Sequence, residues 1–124
     1  MVAVAGKTPR ATAGNGREND PPLLILTSLA SGPKHGYALL LDIDGFAGVR
    51  LGPGTLYGAI SRLEERGLIA PVASQGRTRP YRLTAQGSAV LEATLAELRT
   101  IVEEGTSRLR ARARSGATAG WGSA

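Results

Sequence analysis

The sequence predicts a mainly α fold with one small β-hairpin, and three observations carry that reading. Apolar residues recur at helical spacing in four separate stretches. Between the third and the fourth, the period shifts to two. The fourth stretch is the longest and holds a seam of leucines and valine. Three helices, a hairpin and a long helix, in that order, make a winged helix-turn-helix followed by a long C-terminal dimerisation helix.

The first helix starts at Asp20-Pro21-Pro22, an acidic cap followed by prolines in the first turn. Leu23, Leu24, Ile25, Leu26 and Leu29 follow, apolar nearly all round. Such a helix belongs in mid-core or at a subunit interface. Ser31-Gly32-Pro33 ends it.

A second helix is expected from about Lys34 to Ile43 or slightly further, with Tyr37, Leu40 and Leu41 on adjacent turns. Asp44-Gly45 and Gly48 punctuate its end, which leaves a compact 42–45 stretch before the third helix. Phe46 and Val49 are expected to cover the core edge.

The third helix has both ends marked. Gly52 is an acceptable N-cap, Pro53 occupies the first turn, and Gly67 can take the left-handed conformation that closes a helix. Leu56, Ala59, Ile60 and Leu63 form one narrow apolar stripe. Thr55, Gly58, Ser61 and Arg62 fall on the opposite face, with Tyr57 at its edge. A face this thinly decorated lets a helix approach another surface closely, and a DNA major groove admits a helix. An ordinary amphipathic surface helix is the plain alternative.

After Gly67, Leu68, Ile69 and Val72 read as one strand and Tyr81, Arg82 and Leu83 as another, with a turn over 74–78. Pro71 and Pro80 confine both to edge positions, which suits a two-stranded hairpin. Arg77, Arg79 and Arg82 lie here with no acid among them. Thr84 caps the last helix, in which Leu91, Leu95, Leu98, Val102 and Leu109 step as a seam with Gly105 at one position. So small a chain has too little apolar surface left to cover that seam, which predicts packing on a second copy. Folding back on the first helix of its own chain is the alternative.

The predicted organisation is a disordered arm over 1–19, the winged unit over 20–84, the dimerisation helix over 85–111 and a flexible tail over 112–124. The chain has 124 residues, a net charge of +5, no cysteine and one histidine. Its sequence pI is about 10.4. A basic balance favours a polyanion as partner, nucleic acid before a membrane surface. Thiolate metal sites are excluded, and one histidine argues against most zinc sites, so no metal and no cofactor is expected. No apolar run reaches the roughly 20 residues of a membrane span, and no signal-type segment follows Lys7 and Arg10. A soluble cytoplasmic protein is the expectation. Enzyme readings fail: counting from Gly54, Ala59-Ile60 stands where a P-loop needs Gly-Lys, and Tyr57 stands where a dinucleotide fingerprint needs its last glycine.

Four segments carry a more specific likeness: 32–37 (Gly-Pro-Lys-His-Gly-Tyr), 51–57 (Leu-Gly-Pro-Gly-Thr-Leu-Tyr), 62–69 (Arg-Leu-Glu-Glu-Arg-Gly-Leu-Ile) and 79–84 (Arg-Pro-Tyr-Arg-Leu-Thr). In this order and spacing, over roughly residues 22–110, they resemble the PadR family of bacterial transcriptional regulators, in its short form. Gly52 departs from the serine that many members carry as the cap. The resemblance implies a homodimeric repressor of double-stranded DNA, dimerised by its C-terminal helix.

It also implies that helix 53–66 enters the major groove beside wing 70–83. Thr55, Tyr57, Gly58, Ser61 and Arg62 are then the candidate contacts, because Glu64 and Glu65 are repelled by phosphate. Arg62 can read guanine, or it can pair with Glu65 in its own helix. Gly58 allows close approach or is neutral filler. Arg77 and Arg79 at the wing tip can reach phosphates or the minor groove, or remain a solvated loop. The family reading sets Lys34, His35 and Tyr37 near the DNA backbone, with His35 alternatively a capping or packing residue. The family also suggests release by a small apolar or aromatic ligand. The rival functional readings are a winged-helix protein-interaction module and a non-specific nucleoid-type binder.

Overall fold

The computed structural model describes residues 20–74, 76 and 79–116. The expected arm over 1–19, Arg77 at the wing tip and the end of the expected tail, 117–124, lie outside them. The order is α1 (Pro21–Leu29), α2 (Gly36–Ala47), α3 (Pro53–Glu65), β1 (Ile69–Pro71), β2 (Tyr81–Leu83) and α4 (Ala85–Arg114). This is the expected mainly α architecture with a two-stranded antiparallel hairpin and a long last helix. The chain divides into two units, residues 1–91 and 92–124.

In the first unit α1 is the hub. Asp20 Oδ1 accepts the Leu23 N–H at 3.1 Å, satisfying one of the helix's orphan donors. Leu24, Ile25, Leu26 and Leu29 are all buried, and α1 packs on α2, α3 and β2. Leu39 and Ile43 of α2 and Leu56, Ala59, Ile60 and Leu63 of α3 close around it. At roughly 1.5–3 kcal/mol for each large apolar side chain removed from water, this cluster holds the unit together.

Three boundaries differ from expectation. Lys34 is not helical: it precedes α2, whose N-cap is His35, and bridges to Tyr81. The residue exchanges both backbone bonds with Tyr81, at 3.1 and 2.9 Å. β2 is therefore flanked on both sides, by β1 and by this bridge, instead of being a free edge. The 42–45 stretch is not a connection but part of α2, which runs to Ala47. Burial of Ile43 holds that turn in place, and Gly48, at φ 69°, ends the helix by donating to the Asp44 carbonyl at 2.9 Å. Val49 is buried as expected, but Phe46 is about half exposed and does not cover the core.

The third difference is the end of α4, which continues to Arg114, past the expected limit at 111. Alternating Ala and Arg are good helix formers, and Arg112 and Arg114 in the last turn suit the negative end of the helix dipole. At the other end of α4, Thr84 is the expected cap. Its Oγ1 accepts the Gly87 N–H at 3.0 Å and donates to the Gly67 carbonyl at 2.7 Å. In the second unit, α4 from Glu92 onward presents Leu95, Ile101, Val102 and Leu109 to solvent, with Leu98 half-buried.

Candidate nucleic-acid interface

The site is built on α3. Gly52 is its N-cap and Pro53 its first residue. Leu56, Ala59, Ile60 and Leu63 face inward and are buried. Thr55, Tyr57, Ser61 and Arg62 are exposed, and Gly58 is intermediate. The spacing of apolar and polar residues thus sorts the helix as periodicity requires.

The far end of α3 is closed by Gly67 at φ 76°. Gly67 N–H donates to the Glu64 carbonyl at 3.0 Å and Leu68 N–H to the Leu63 carbonyl at 3.0 Å, a Schellman arrangement. The next residues enter β1, so this cap sets where the wing leaves the helix. Leu68 and Thr84 lock it from the other side, with Thr84 N–H donating to the Leu68 carbonyl at 3.1 Å. Gly87 completes the lock, because a Cβ there would strike the Leu68 carbonyl and stand 3.0 Å from Leu83 Cδ1. In the wing, Ile69, Ala70 and Pro71 pair with Leu83, Arg82 and Tyr81. Val72 N–H extends the ladder to the Pro80 carbonyl at 2.8 Å, and Arg79 and Arg82 are exposed on the second arm.

The structure brings two groups of candidates together. The Tyr57 ring of α3 lies across Gly36 at the start of α2. A Cβ on Gly36 would run into the phenol, with Cζ only 2.7 Å away. Gly36 is therefore required by close packing, not by backbone conformation. This seats the Tyr57 hydroxyl at the N-terminus of α2, beside exposed His35 and Tyr37. His35 is the N-cap by position, but its side chain makes no capping bond, so neither a capping nor a packing role uses its ring. Tyr37 is 70% exposed.

For Arg62, no ion pair joins it to Glu65 among the described residues. Its Nη1 stands 3.6 Å from where a Cβ on Gly58 would be. The guanidinium thus lies back over Gly58, toward the N-terminal half of the helix. Nothing else crowds Gly58, whose missing side chain leaves that face open.

Two candidates are used differently from the expectation. The Lys34 ammonium turns inward, donating to the Ser28 carbonyl at 2.5 Å and the Ser31 hydroxyl at 2.7 Å. Asp42 lies 3.9 Å away and also accepts from the buried Ser28 hydroxyl at 2.6 Å. A lysine placed on the last carbonyls of α1 is a helix-end brace, which leaves its charge little reach toward a phosphate. Leu91, expected in the dimer seam, is buried in its own core. The close seating of α4 at Gly87 brings Leu91, one turn later, onto that core.

Sequence reasoning missed the Ser28–Asp42–Lys34 cluster, since nothing local links residues fourteen apart. It also missed Gly87 as a packing residue. Arg50, exposed just before α3 and 3.5 Å from Asp44, was missed as well, though a basic residue ahead of a helix cap was visible. No helix among the described residues is long and apolar enough to cross a membrane.

Comparison with known proteins fits this geometry. Residues 25–93 match the Transcriptional regulator PadR-like family. An uncharacterised 37.1 kDa protein in transposon Tn4556 of Streptomyces fradiae is 50% identical over 76 residues. That match covers 61% of this chain, which spans only 22% of the relative's length. The fold matches a PadR family transcription regulator from Clostridium difficile R20291, with a TM-score of 0.64 and 29% identity over 72% of this chain and 97% of that one. It also matches a PadR family transcriptional regulator from Eggerthella lenta, with a TM-score of 0.62 and 29% identity over 75% and 84% of the two chains. With more than half of its residues inside the family match and the same winged architecture as these regulators, the chain belongs to the PadR-like family of transcriptional regulators.

Proposed function

We propose that the protein is a homodimeric repressor that binds a palindromic promoter operator in double-stranded DNA. The observation that carries this reading is the outer face of α3. It is polar and short in side chains, it carries Arg62, which has no ion-pair partner among the described residues, and the Gly67 cap ties it to an arginine-bearing wing. Thr55, Ser61 and Arg62 meet base edges, with Gly58 allowing the approach. Tyr57, with His35 and Tyr37 beside it at the start of α2, meets the backbone, where free helix N–H groups favour an anion. Arg77 and Arg79 serve the wing as phosphate contacts. Two copies joined through α4 present two such faces to half-sites about one or two DNA turns apart. A small apolar or aromatic ligand bound between the copies shifts both faces together and releases the DNA.

The test is fluorescence anisotropy on a duplex from the region upstream of the gene and on a scrambled duplex, at several salt concentrations. Affinity is expected to fall with a log–log slope of about −0.9 per phosphate neutralised. Arg62→Ala should relax the preference between the duplexes by about 1–3 kcal/mol. Arg79→Ala should weaken both equally and reduce the slope by about one. Lys34→Met should leave the slope unchanged, because its charge is spent inside the protein. Equal loss on both duplexes from Arg62→Ala removes it as the base reader. Equal affinity of the parent protein for both duplexes at every salt concentration removes the operator.

A further inference from the structure

The distal part of α4 carries a charge pattern that its own chain does not use. At about 100° per residue, Leu95, Val102 and Leu109 point one way, and Leu98, Gly105 and Ile101 widen that stripe on one side. The other flank, roughly 60–100° round from Val102, carries Glu92, Arg99, Glu103 and Arg110. None of these four has an ion-pair partner among the described residues. The distal ion pair that does form within the helix, Arg108 Nε to Glu104 Oε2 at 2.8 Å, lies off this flank: Glu104 is on the back, and Arg108, seven residues after Ile101, borders the opposite edge of the stripe.

The four flank charges read minus, plus, minus, plus, with separations of seven, four and seven residues. Read backwards, the separations are the same and every sign is reversed. A second helix of identical sequence laid antiparallel therefore meets opposite charge at each position. Glu92 faces the partner's Arg110, and Arg99 faces the partner's Glu103. The two-fold axis then passes near Ile101, which meets its own copy on the apolar flank. A parallel copy instead sets this flank against the other one, where Arg112 stands, and brings Arg110 beside the partner's Arg112.

We infer that the exposed face of α4 docks a second copy of this chain in antiparallel orientation, in a register fixed by the Glu92–Arg110 and Arg99–Glu103 pairs between subunits. The inference rests on the homodimer reading above and adds its direction and its alignment. The apolar stripe supplies attraction without choosing a direction, and the flank charges choose it. A shift of one heptad in either direction breaks the alternation, so one alignment is selected.

The test uses the absence of native cysteine. Full-length copies carrying Glu92→Cys and, with a different tag, Arg110→Cys are co-expressed, oxidised and separated. The antiparallel register predicts the mixed 92–110 disulfide. In a parallel pair those positions stand about 27 Å apart along the axis and cannot bridge. Predominant 92–92 or 110–110 disulfides, or a chain that sediments as a monomer, overturn the inference.

Charge reversal gives a second readout by sedimentation equilibrium. Glu103→Arg should raise the dimer dissociation constant about tenfold, and adding Arg99→Glu should restore it to within about threefold. No rescue by the double variant also overturns the register. The regulator reading is tested separately, on the same cross-linked sample. A 92–110 dimer that binds neither duplex sinks the DNA reading and leaves the pairing intact. A DNA-binding dimer cross-linked 110 to 110 does the reverse.

Discussion

α3 and the distal half of α4 are both amphipathic helices with apolar residues at the same spacing, yet they have opposite fates. In α3 every member of the stripe is buried, from Leu56 to Leu63. In α4 beyond Leu91 the stripe stands in water, with Val102 63% and Leu109 62% exposed. Period alone states that a helix needs cover on one side. It does not state whether the cover comes from the same chain. The two helices differ in how the chain leaves them. α3 gives way at once to a left-handed glycine and a hairpin that return the chain to the core. α4 runs on as thirty residues of uninterrupted helix from Ala85 to Arg114, and nothing turns it back.

The sharpest way to break this comparison is to truncate each stripe. Leu63→Ala, in the closed core, should cost about 2–5 kcal/mol of unfolding free energy at any protein concentration, because a cavity remains where the side chain was. Val102→Ala should cost under about 1 kcal/mol in dilute protein and more as concentration rises, because its cover comes from association. Urea unfolding at two concentrations, tenfold or more apart, measures both. A large, concentration-independent loss from Val102→Ala would mean that α4 is covered by its own chain.

The glycines of α4 sharpen the same contrast. Gly87 lies in the first unit, with the Leu68 carbonyl where its Cβ would go. Gly105 lies in the second unit, with nothing within 4 Å of that position. Gly87→Ala should destabilise by about 1–3 kcal/mol, since backbone has to move. Gly105→Ala should instead stabilise the helix by up to about 1 kcal/mol in dilute protein, through lower unfolded-chain entropy. Thermal unfolding of the two variants should therefore shift in opposite directions. The same residue in the same helix is structural in one half and tolerant in the other.

Much of this was legible in the sequence. The caps at Asp20 and Thr84, the left-handed Gly67, the apolar stripe of α3 and the two turn-bounded strand segments all arise from local chemistry that acts over four or five residues. The candidate contacts Thr55, Ser61 and Arg62 fall on the outer face for the same reason. Apart from the end of α4 and Arg50, whose signals are local, the failures are long-range. Lys34 reads as a surface cation until Ser28 and Asp42 are brought to it by the packing of α1 on α2. Leu91 continues the seam by spacing and leaves it because Gly87 draws that turn against Leu68. Phe46 reads as core by type and is about half exposed, whereas Val49, on the other side of the Gly48 turn, is buried. The meeting of Tyr57 with Gly36 was equally invisible, since it joins two segments that sequence treats separately.

The smallest expected effect lies at the Arg108–Glu104 pair of α4, whose side chains are 78% and 60% exposed. A pair spaced i, i+4 and this open to water contributes about 0.3–0.5 kcal/mol, less in salt. Arg108→Ala should therefore lower helix stability by no more than that, and the loss should fade near 1 M salt. Because the antiparallel register sets Arg108 opposite the partner's Thr94, which carries no charge, the dimer dissociation constant should stay within about twofold of the parent. Glu103→Arg, five residues earlier on the flank of the stripe, alters one charge site too and should move that constant about tenfold. A comparable shift from Arg108→Ala would place Arg108 against a charge of the second copy, which the proposed register does not supply.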